Sequence, residues 1–405
     1  MHLCIQTQYY LPEIGAPQAR LSELAQHFIA NGHSVTVLTA MPNYPTGKIF
    51  RGYGGLYRSE VIDGVKVIRT YVFPSKSVRK IPRLWNYFSF VLSSFFIGAI
   101  ALPRCDVMIT ESPPLFLGLS GFILSKVKRA KWIFNVSDLW PESAVNLGII
   151  GDGLALDVSK WLEASFYGQA SLVTGQSHEI VNNIEQRFPE IETYRLSNGV
   201  DVIKFNPNKK SDILSQWSKG KKLTAVYAGL HGIAQGLDQI LKAAITLEKS
   251  TPDLQIILIG DGAEKGALMA MAEELKLSNI SFVDPQQREL IPEILASANI
   301  ALIPLKQYIP GAVPSKLYEA MASGLPVVLI AEGEPADIVK MAKCGYVVRP
   351  DHIEGIAKAV ESLAMNKELG KIMAETGRNS VIKSYDRNNI LNDFRTFIEM
   401  NQKDL

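Results

Sequence analysis

The sequence predicts an α/β protein built from two consecutive, Rossmann-like parallel-sheet domains. Three observations predict it. Short apolar runs alternate with stretches of helical period along the chain, the pattern of βαβ units and covered parallel sheets. The alternation restarts after a polar connector at about 203–222. At 405 residues the chain is long enough for two separate cores. The expected division is 1–202, then 203–384, then a helix at 385–405 that can pack back on the first domain.

Composition narrows the class. With 47% hydrophobic and 20% charged residues and no low-complexity tract, the chain reads as a soluble globular protein. A net charge of +2 gives no global field that would select nucleic acid. Cys4, Cys105 and Cys344 are too widely spaced for a disulfide framework or a zinc motif, which suggests a reducing compartment. Met1–Ile5 enters a strand with no cationic leader, so no signal peptide is expected.

Residues 3–8 read as the first strand, and Tyr9–Pro17 as a loop whose flexible point is Gly15. Leu21, Leu24, Ala25 and Phe28 mark a helix ending near Asn31-Gly32, and Ser34–Thr39 a second strand. Ligands bind at the carboxyl edge of such sheets, where the Gly15 loop lies. Residues 41–60, rich in Pro, Gly, Tyr and Arg, read as a functional loop or lid. The stretch 84–102 carries no charge, follows Lys76, Arg79, Lys80 and Arg83, and is long enough to span a bilayer. A sheet strand at 105–110 follows it, and Asn86 and several serines interrupt its apolar surface. The expectation is therefore a domain helix that touches an anionic membrane surface; a wholly buried helix fits the same residues. A helix at 113–128 and a strand at 131–136 follow. The strand ends in the polar cluster Ser137-Asp138-Leu139-Trp140-Pro141-Glu142-Ser143, and residues 170–174 read as the last strand of this half.

In the second half, strands are expected at 223–227, 254–259, 280–283, 300–304, 327–330 and 346–348. The first is followed by Gly229-Leu230-His231-Gly232-Ile233-Ala234-Gln235-Gly236, a candidate phosphate or sugar cradle. The second is followed by Gly260-Asp261-Gly262, whose next glycine is one residue too distant for a dinucleotide fingerprint. Turn glycines explain either loop equally well when it is taken alone. The fourth leads through Gly311 to a helix beginning near Ser315. Its free N–H groups form an anion site, with Ser315 as a cap and Lys316 as a mobile charge. Glu319 lies about 4.5 Å further along the axis, roughly the step from a diphosphate to its ribose. Phosphates on the Ser315–Leu317 amides and Lys316, with ribose on Glu319, are one reading; an ordinary capped helix with solvated Lys316 and Glu319 is the other. No Asp-x-Asp, His-Glu-x-x-His, P-loop or Gly-x-Ser-x-Gly occurs, so neither a metal nor an organic cofactor is expected.

Across nearly its whole length the chain resembles the family 4 glycosyltransferases of the GT-B fold. The resemblance rests on Gly15, Gly32–Thr39, Asn198-Gly199-Val200-Asp201, Gly260-Asp261-Gly262 and Glu319–Val328. Asp138–Ser143 and Pro314–Glu319 resemble a narrower branch, the O-antigen and capsule N-acetylfucosamine transferases. The chain departs from much of the family in having Gly311 where a first glutamate is common. It also has Leu230, His231 and Gln235 in place of an Arg/Lys pair, and Ser137 in place of a histidine.

The resemblance implies two domains facing across a cleft and a retaining sugar transfer from a UDP-sugar, which is a substrate and not a cofactor. The implied acceptor is an undecaprenyl-diphosphate-linked saccharide at the inner face of the cytoplasmic membrane. The candidate catalytic residues are then Lys316, Asp138 and Glu319. Donor binding would involve Gly15, Gly229, His231, Gly232, Gln235, Gly260, Asp261, Gly262, Gly311, Ser315, Lys316, Leu317 and Glu319. Arg20, Trp140 and Glu142 would lie on the acceptor side. A UDP-sugar 2-epimerase and a non-catalytic sugar-binding protein fit the same architecture.

Overall fold

A computed structural model describes residues 1–75, 80–146, 151 and 153–401. The chain divides into two compact units, Met1–Ser197 with Leu391–Leu405, and Asn198–Ile390. The crossing thus precedes the connector expected at 203–222. The reason is local: Val200 N–H donates to Tyr385 O at 2.9 Å and Arg387 N–H to Val200 O at 2.9 Å, which ties 198–201 to unit two.

In unit one, the strands are β1 (His2–Gln6), β2 (Ser34–Ala40), β3 (Tyr57–Ile62), β4 (Val65–Thr70), β5 (Val107–Ser112), β6 (Lys131–Val136), β7 (Leu172–Gly175) and β8 (Thr193–Arg195). They form one sheet in the order β3-β4-β2-β1-β5-β6-β7-β8, parallel throughout except for the β3–β4 pair. That hairpin occupies part of the expected 41–60 loop. Its turn is Asp63-Gly64, with φ of 49° and 80°, the left-handed pair a two-residue hairpin requires. The strand expected to end this half, β7, is followed by β8. The helices are α1 (Ala16–Ala30), α2 (Lys80–Ala101), α3 (Leu117–Lys128), α4 (Glu142–Asn146), α5 (Leu154–Gln169) and α6 (His178–Arg187). The chain moves from β1 outward to β2, then crosses back from β4 to β5 on the other side of β1. With right-handed crossovers this puts α1 and α2 on opposite faces and makes the β1/β5 carboxyl edge the switch point.

The α2 helix buries Phe90 and Val91 but turns a second apolar side to solvent. Its polar residues face inward: Asn86 donates to Phe73 O at 2.8 Å and accepts from Gln8 at 2.6 Å, while Ser94 donates to Val91 O at 3.0 Å. Leu84, Trp85, Leu92, Phe96 and Ile100 are exposed, Phe96 by 61% and Ile100 by 85%. Window Leu84–Ala101 has a mean hydropathy of 1.5, enough by length and composition alone to cross a membrane. Lys76 and Arg79 of the basic cluster lie outside the described residues.

In unit two, β9 (Leu223–Ala228), β10 (Leu254–Ile259), β11 (Ile280–Val283), β12 (Ile300–Pro304), β13 (Val327–Ile330) and β14 (Gly345–Val348) form an all-parallel sheet ordered β11-β10-β9-β12-β13-β14. Its helices are α7 (Asp238–Ser250), α8 (Lys265–Glu274), α9 (Ile291–Ser297), α10 (Ser315–Ala322), α11 (Glu334–Ala342), α12 (Ile353–Met365) and α13 (Lys367–Ser384). Apolar residues of alternating parity on each strand feed two cores: Val226, Ile257 and Ile303 on one face, Tyr227, Leu258 and Leu302 on the other. The switch point lies at the β9/β12 carboxyl edge. The last helix, α14 (Arg387–Met400), leaves this unit, and from Leu391 onward it belongs to unit one. There Phe394 and Phe397 stack on Tyr194, and Glu399 pairs with His33 at 2.8 Å.

Candidate active site

Each unit gathers polar residues at its own switch point. In unit two, Gly311 (φ 73°) turns the chain between β12 and α10. The α10 N-cap is Pro314, extended at ψ 128°, and no side chain caps the helix. Ser315 is the first helical residue and not the cap, because Pro314 already takes the extended position a cap must adopt. The Leu317 N–H donates to Pro314 O at 3.0 Å, so it is committed within the first turn. The amides of Ser315 and Lys316 remain as the donors at this end.

The Lys316 side chain folds back over β9. Its Nζ lies 5.8 Å from the centroid of the Tyr227 ring. A Cβ built on Gly229 would overlap Lys316 Cε, so glycine at 229 keeps the lane open for the lysine. Among the described residues no carboxylate lies within ion-pairing distance of Lys316. Burial lowers its pKa from 10.5, opposed by the charge of Glu319 one turn along α10.

The two glycine loops are zipped together. Gly229 N–H donates to Ile259 O, His231 N–H to Asp261 O (both 2.8 Å), and Glu264 N–H to His231 O at 2.9 Å. A Cβ at Gly260 (φ 143°) would strike the Gly229 carbonyl, which is why the close approach needs glycine there. His231 is fully buried beneath this zipper, and burial, then the charge of Lys265, lowers its pKa and keeps it neutral. It is therefore not an exposed cation, although the resemblance placed it among the donor-binding residues. Gln235 Oε1 is buried without a partner beside Gly232.

In unit one, the centre is Glu111 at the end of β5, a residue the sequence reading passed over. One carboxylate oxygen accepts from Arg20 Nη2 at 2.5 Å and from Ser137 Oγ; the other accepts from Asn135 Nδ2 at 2.5 Å. Arg20 also donates to Ser137 Oγ at 2.9 Å, and Thr174 donates to Asn135 at 2.6 Å. A signal was present: a carboxylate directly after the run read as a strand, at the edge where ligands bind. Arg20 Nη1 and Gln18 Oε1 are buried without partners. Asp138 is half-buried, and its carboxyl is pushed up to about 6 by burial and by the charge of Glu111, against Arg20. Gly15 lies in the loop before α1, covered by the Gln18 amide. Glu13 in that loop accepts the N–H groups of Tyr10 (3.1 Å), Asn43 and Tyr44 (both 2.8 Å), which fixes the start of the expected lid.

Trp140 and Glu142 go elsewhere. Trp140 meets Phe116 edge-on at 6.2 Å, and Glu142 pairs with Arg187 at 3.0 Å, which also holds Glu163 at 2.5 Å. Arg187 draws Glu142 toward α5 and α6, so among the described residues neither side chain hydrogen-bonds to Arg20, Glu111 or Asp138.

The fold is that of the two-domain GT-B glycosyltransferases. Sucrose-phosphate synthase from Thermosynechococcus elongatus superimposes with a TM-score of 0.78, at 16% identity, over 98% of both chains. Anabaena Alr3699/HepE, solved with UDP and glucose, gives 0.74 at 15% identity over 99% of this chain and 100% of that one. Residues 15–199 match the glycosyl transferase 4-like domain and residues 208–380 the glycosyl transferases group 1 family. The chain carries both domains and is a glycosyltransferase. The putative colanic acid biosynthesis glycosyl transferase WcaI of Escherichia coli (strain K12) is 24% identical over 402 residues, covering 95% of this chain and 98% of that protein.

Proposed function

We propose that the protein is a retaining glycosyltransferase of bacterial surface polysaccharide synthesis. It would move a sugar, N-acetyl-L-fucosamine or another N-acetylhexosamine, from a UDP-sugar to a lipid-diphosphate-linked saccharide of the O-antigen, capsule or lipopolysaccharide type. The observation that carries the donor half is Lys316, a cation with no carboxylate partner among the described residues, in a lane kept open by Gly229 at the uncapped end of α10. Two similar proteins add support: HepE was solved with UDP and glucose, and WcaI is named a putative colanic acid biosynthesis glycosyl transferase.

On this reading Lys316 and the Ser315 and Lys316 amides stabilise the leaving diphosphate, and Glu319 holds ribose. The bond from sugar C1 to the diphosphate oxygen breaks, and a bond from C1 to the acceptor oxygen forms. The acceptor's proton passes to the leaving phosphate oxygen, so neither a metal nor an organic cofactor takes part. Asp138 and Arg20 position the sugar or acceptor, oriented by Glu111.

The enzyme is read as cytoplasmic and peripheral on the inner membrane face. The exposed stripe of α2 supports this, together with Ile123, Lys126 and Val127 on α3 and Trp161, 66% exposed, on α5. In vesicle flotation the protein should rise with anionic phosphatidylglycerol vesicles, and Phe96→Ser with Ile100→Ser should stay behind. Equal flotation of both proteins would remove the membrane part of the reading.

The test of function is incubation with candidate UDP- and GDP-sugars, with and without membrane lipid extract. Sugar transferred from a UDP donor to lipid is expected. An epimerised donor, binding without turnover, or transfer only from GDP-sugars would overturn it.

A further inference from the structure

The Lys316 ammonium poses a physical problem. A lysine charge partly withdrawn from water is costly unless something compensates it; Glu319 acts on it only through space, and among the described residues no carboxylate pairs with it. What lies beneath it is the Tyr227 ring, 5.8 Å from Nζ to centroid. Tyr227 and Gly229 are two apart at the carboxyl end of β9, so their side-chain positions share one side of the strand. The missing side chain at 229 gives Lys316 access to the ring at 227.

The ring is itself held from below and at its tip. The Tyr227 hydroxyl donates to Leu230 O at 2.6 Å, inside the turn that begins the phosphate cradle. Burial raises the phenol above its usual range, so it keeps the proton that makes this bond. The His231 ring stands 6.0 Å from the Tyr227 ring, and Phe282 stands 6.4 Å beyond His231. His231 is neutral, so it backs the tyrosine without repelling the lysine. The cation therefore meets a ring that is itself packed against a second ring pair, the buried His231 with Phe282.

We propose that Tyr227 is a positioning residue for the donor diphosphate: its ring carries the Lys316 ammonium, and its hydroxyl fixes the Gly229–Gly232 turn that leaves this ammonium uncovered. The inference rests on Lys316 being the diphosphate cation. It also gives the buried His231 a part, as backing for the ring and not as a phosphate ligand.

The test is calorimetric titration with UDP of the full chain and of Tyr227→Phe, Tyr227→Leu, Lys316→Ala and the double variant Tyr227→Leu/Lys316→Ala. Tyr227→Leu should weaken UDP binding by about two- to thirtyfold, the span of a cation–π contact. Tyr227→Phe, which keeps the ring, should weaken it less. In the Lys316→Ala background the leucine should have little further effect, because the two residues act as one unit. Should the leucine variant fold poorly, a fluorinated phenylalanine placed at position 227 keeps the shape while draining the π-face. UDP affinity should then fall stepwise with fluorination.

Equal losses from Tyr227→Leu with and without Lys316, or an affinity indifferent to fluorination, would overturn the inference while leaving the donor site in place. An unchanged UDP affinity in Lys316→Ala would remove the donor site itself.

Discussion

Both sheets place a cation at their switch point, and the two are treated in opposite ways. Arg20 in unit one is saturated on one side: Glu111 and Ser137 hold the same guanidinium nitrogen, and Glu111 is filled again by Asn135. Lys316 in unit two is paired with no carboxylate among the described residues and rests on an aromatic ring. A charge neutralised in advance serves geometry; a charge left open can take an anion. The unit-one cluster therefore reads as a rigid, neutral, hydrogen-bonding surface, and the unit-two cluster as a site completed by its ligand.

The contrast breaks most visibly at Arg20. Arg20→Ala leaves the Glu111 carboxylate buried without its cation, and removing one partner of a buried pair costs about 3–5 kcal/mol. Denaturant melts should show that loss, and a Glu111→Gln variant should also lose stability. If Arg20→Ala melts like the wild type, the pair is not the keystone described here.

Glycines sharpen the comparison next. Gly229→Ala should displace the flexible end of Lys316, so UDP affinity falls while the melt moves little. Gly260→Ala strikes the backbone of Gly229 at a positive φ, where an ordinary residue costs about 1–3 kcal/mol before any clash. It should lower the melting midpoint more than Gly229→Ala does. The reverse ranking would mean that the lane over Tyr227 is not set by Gly229.

The smallest expected effects are in pH. The unfolded chain holds the Lys316 proton up to 10.5, whereas the folded one gives it up earlier. More protons on the unfolded state means that stability rises with pH through the window below 10.5, while UDP binding falls over the same interval. Asp138 is the opposite case. Between 3.8 and about 6 the folded state holds a proton the unfolded chain has lost, so stability falls as pH rises through that interval. Asp138→Asn should flatten this slope in pH-dependent melts, and Lys316→Ala should flatten the alkaline one.

Much of this comparison was legible in the sequence. The six strands of unit two, the α10 start and the Lys316–Glu319 spacing follow from apolar runs and helical rise. The rest depends on what meets across the sheet. Glu111 sits only one residue beyond the run read as a strand; a carboxylate there hints at the sheet edge, but its partners come from 24 or more positions away, so nothing local named them. Ser315 has cap chemistry, but the proline before it had already taken the cap's backbone shape. The Asp63-Gly64 hairpin signal was present just beyond the 41–60 stretch, whose length suggested a lid and drew its first strand into the loop. In α2 the apolar run was legible and the side it presents was not: Asn86 and Ser94 turn inward because Gln8, Phe73 and the helix's own carbonyls take their hydrogen bonds.

The central claim is that Lys316 is an open cation reserved for a nucleoside diphosphate. Its most direct test measures two quantities on one variant, the UDP affinity and the melting midpoint of Lys316→Ala. The account predicts a large loss of affinity, together with transfer slowed by about 10²–10³-fold, and a melting midpoint no lower than that of the wild type. An unchanged UDP affinity in a folded Lys316→Ala protein would contradict it.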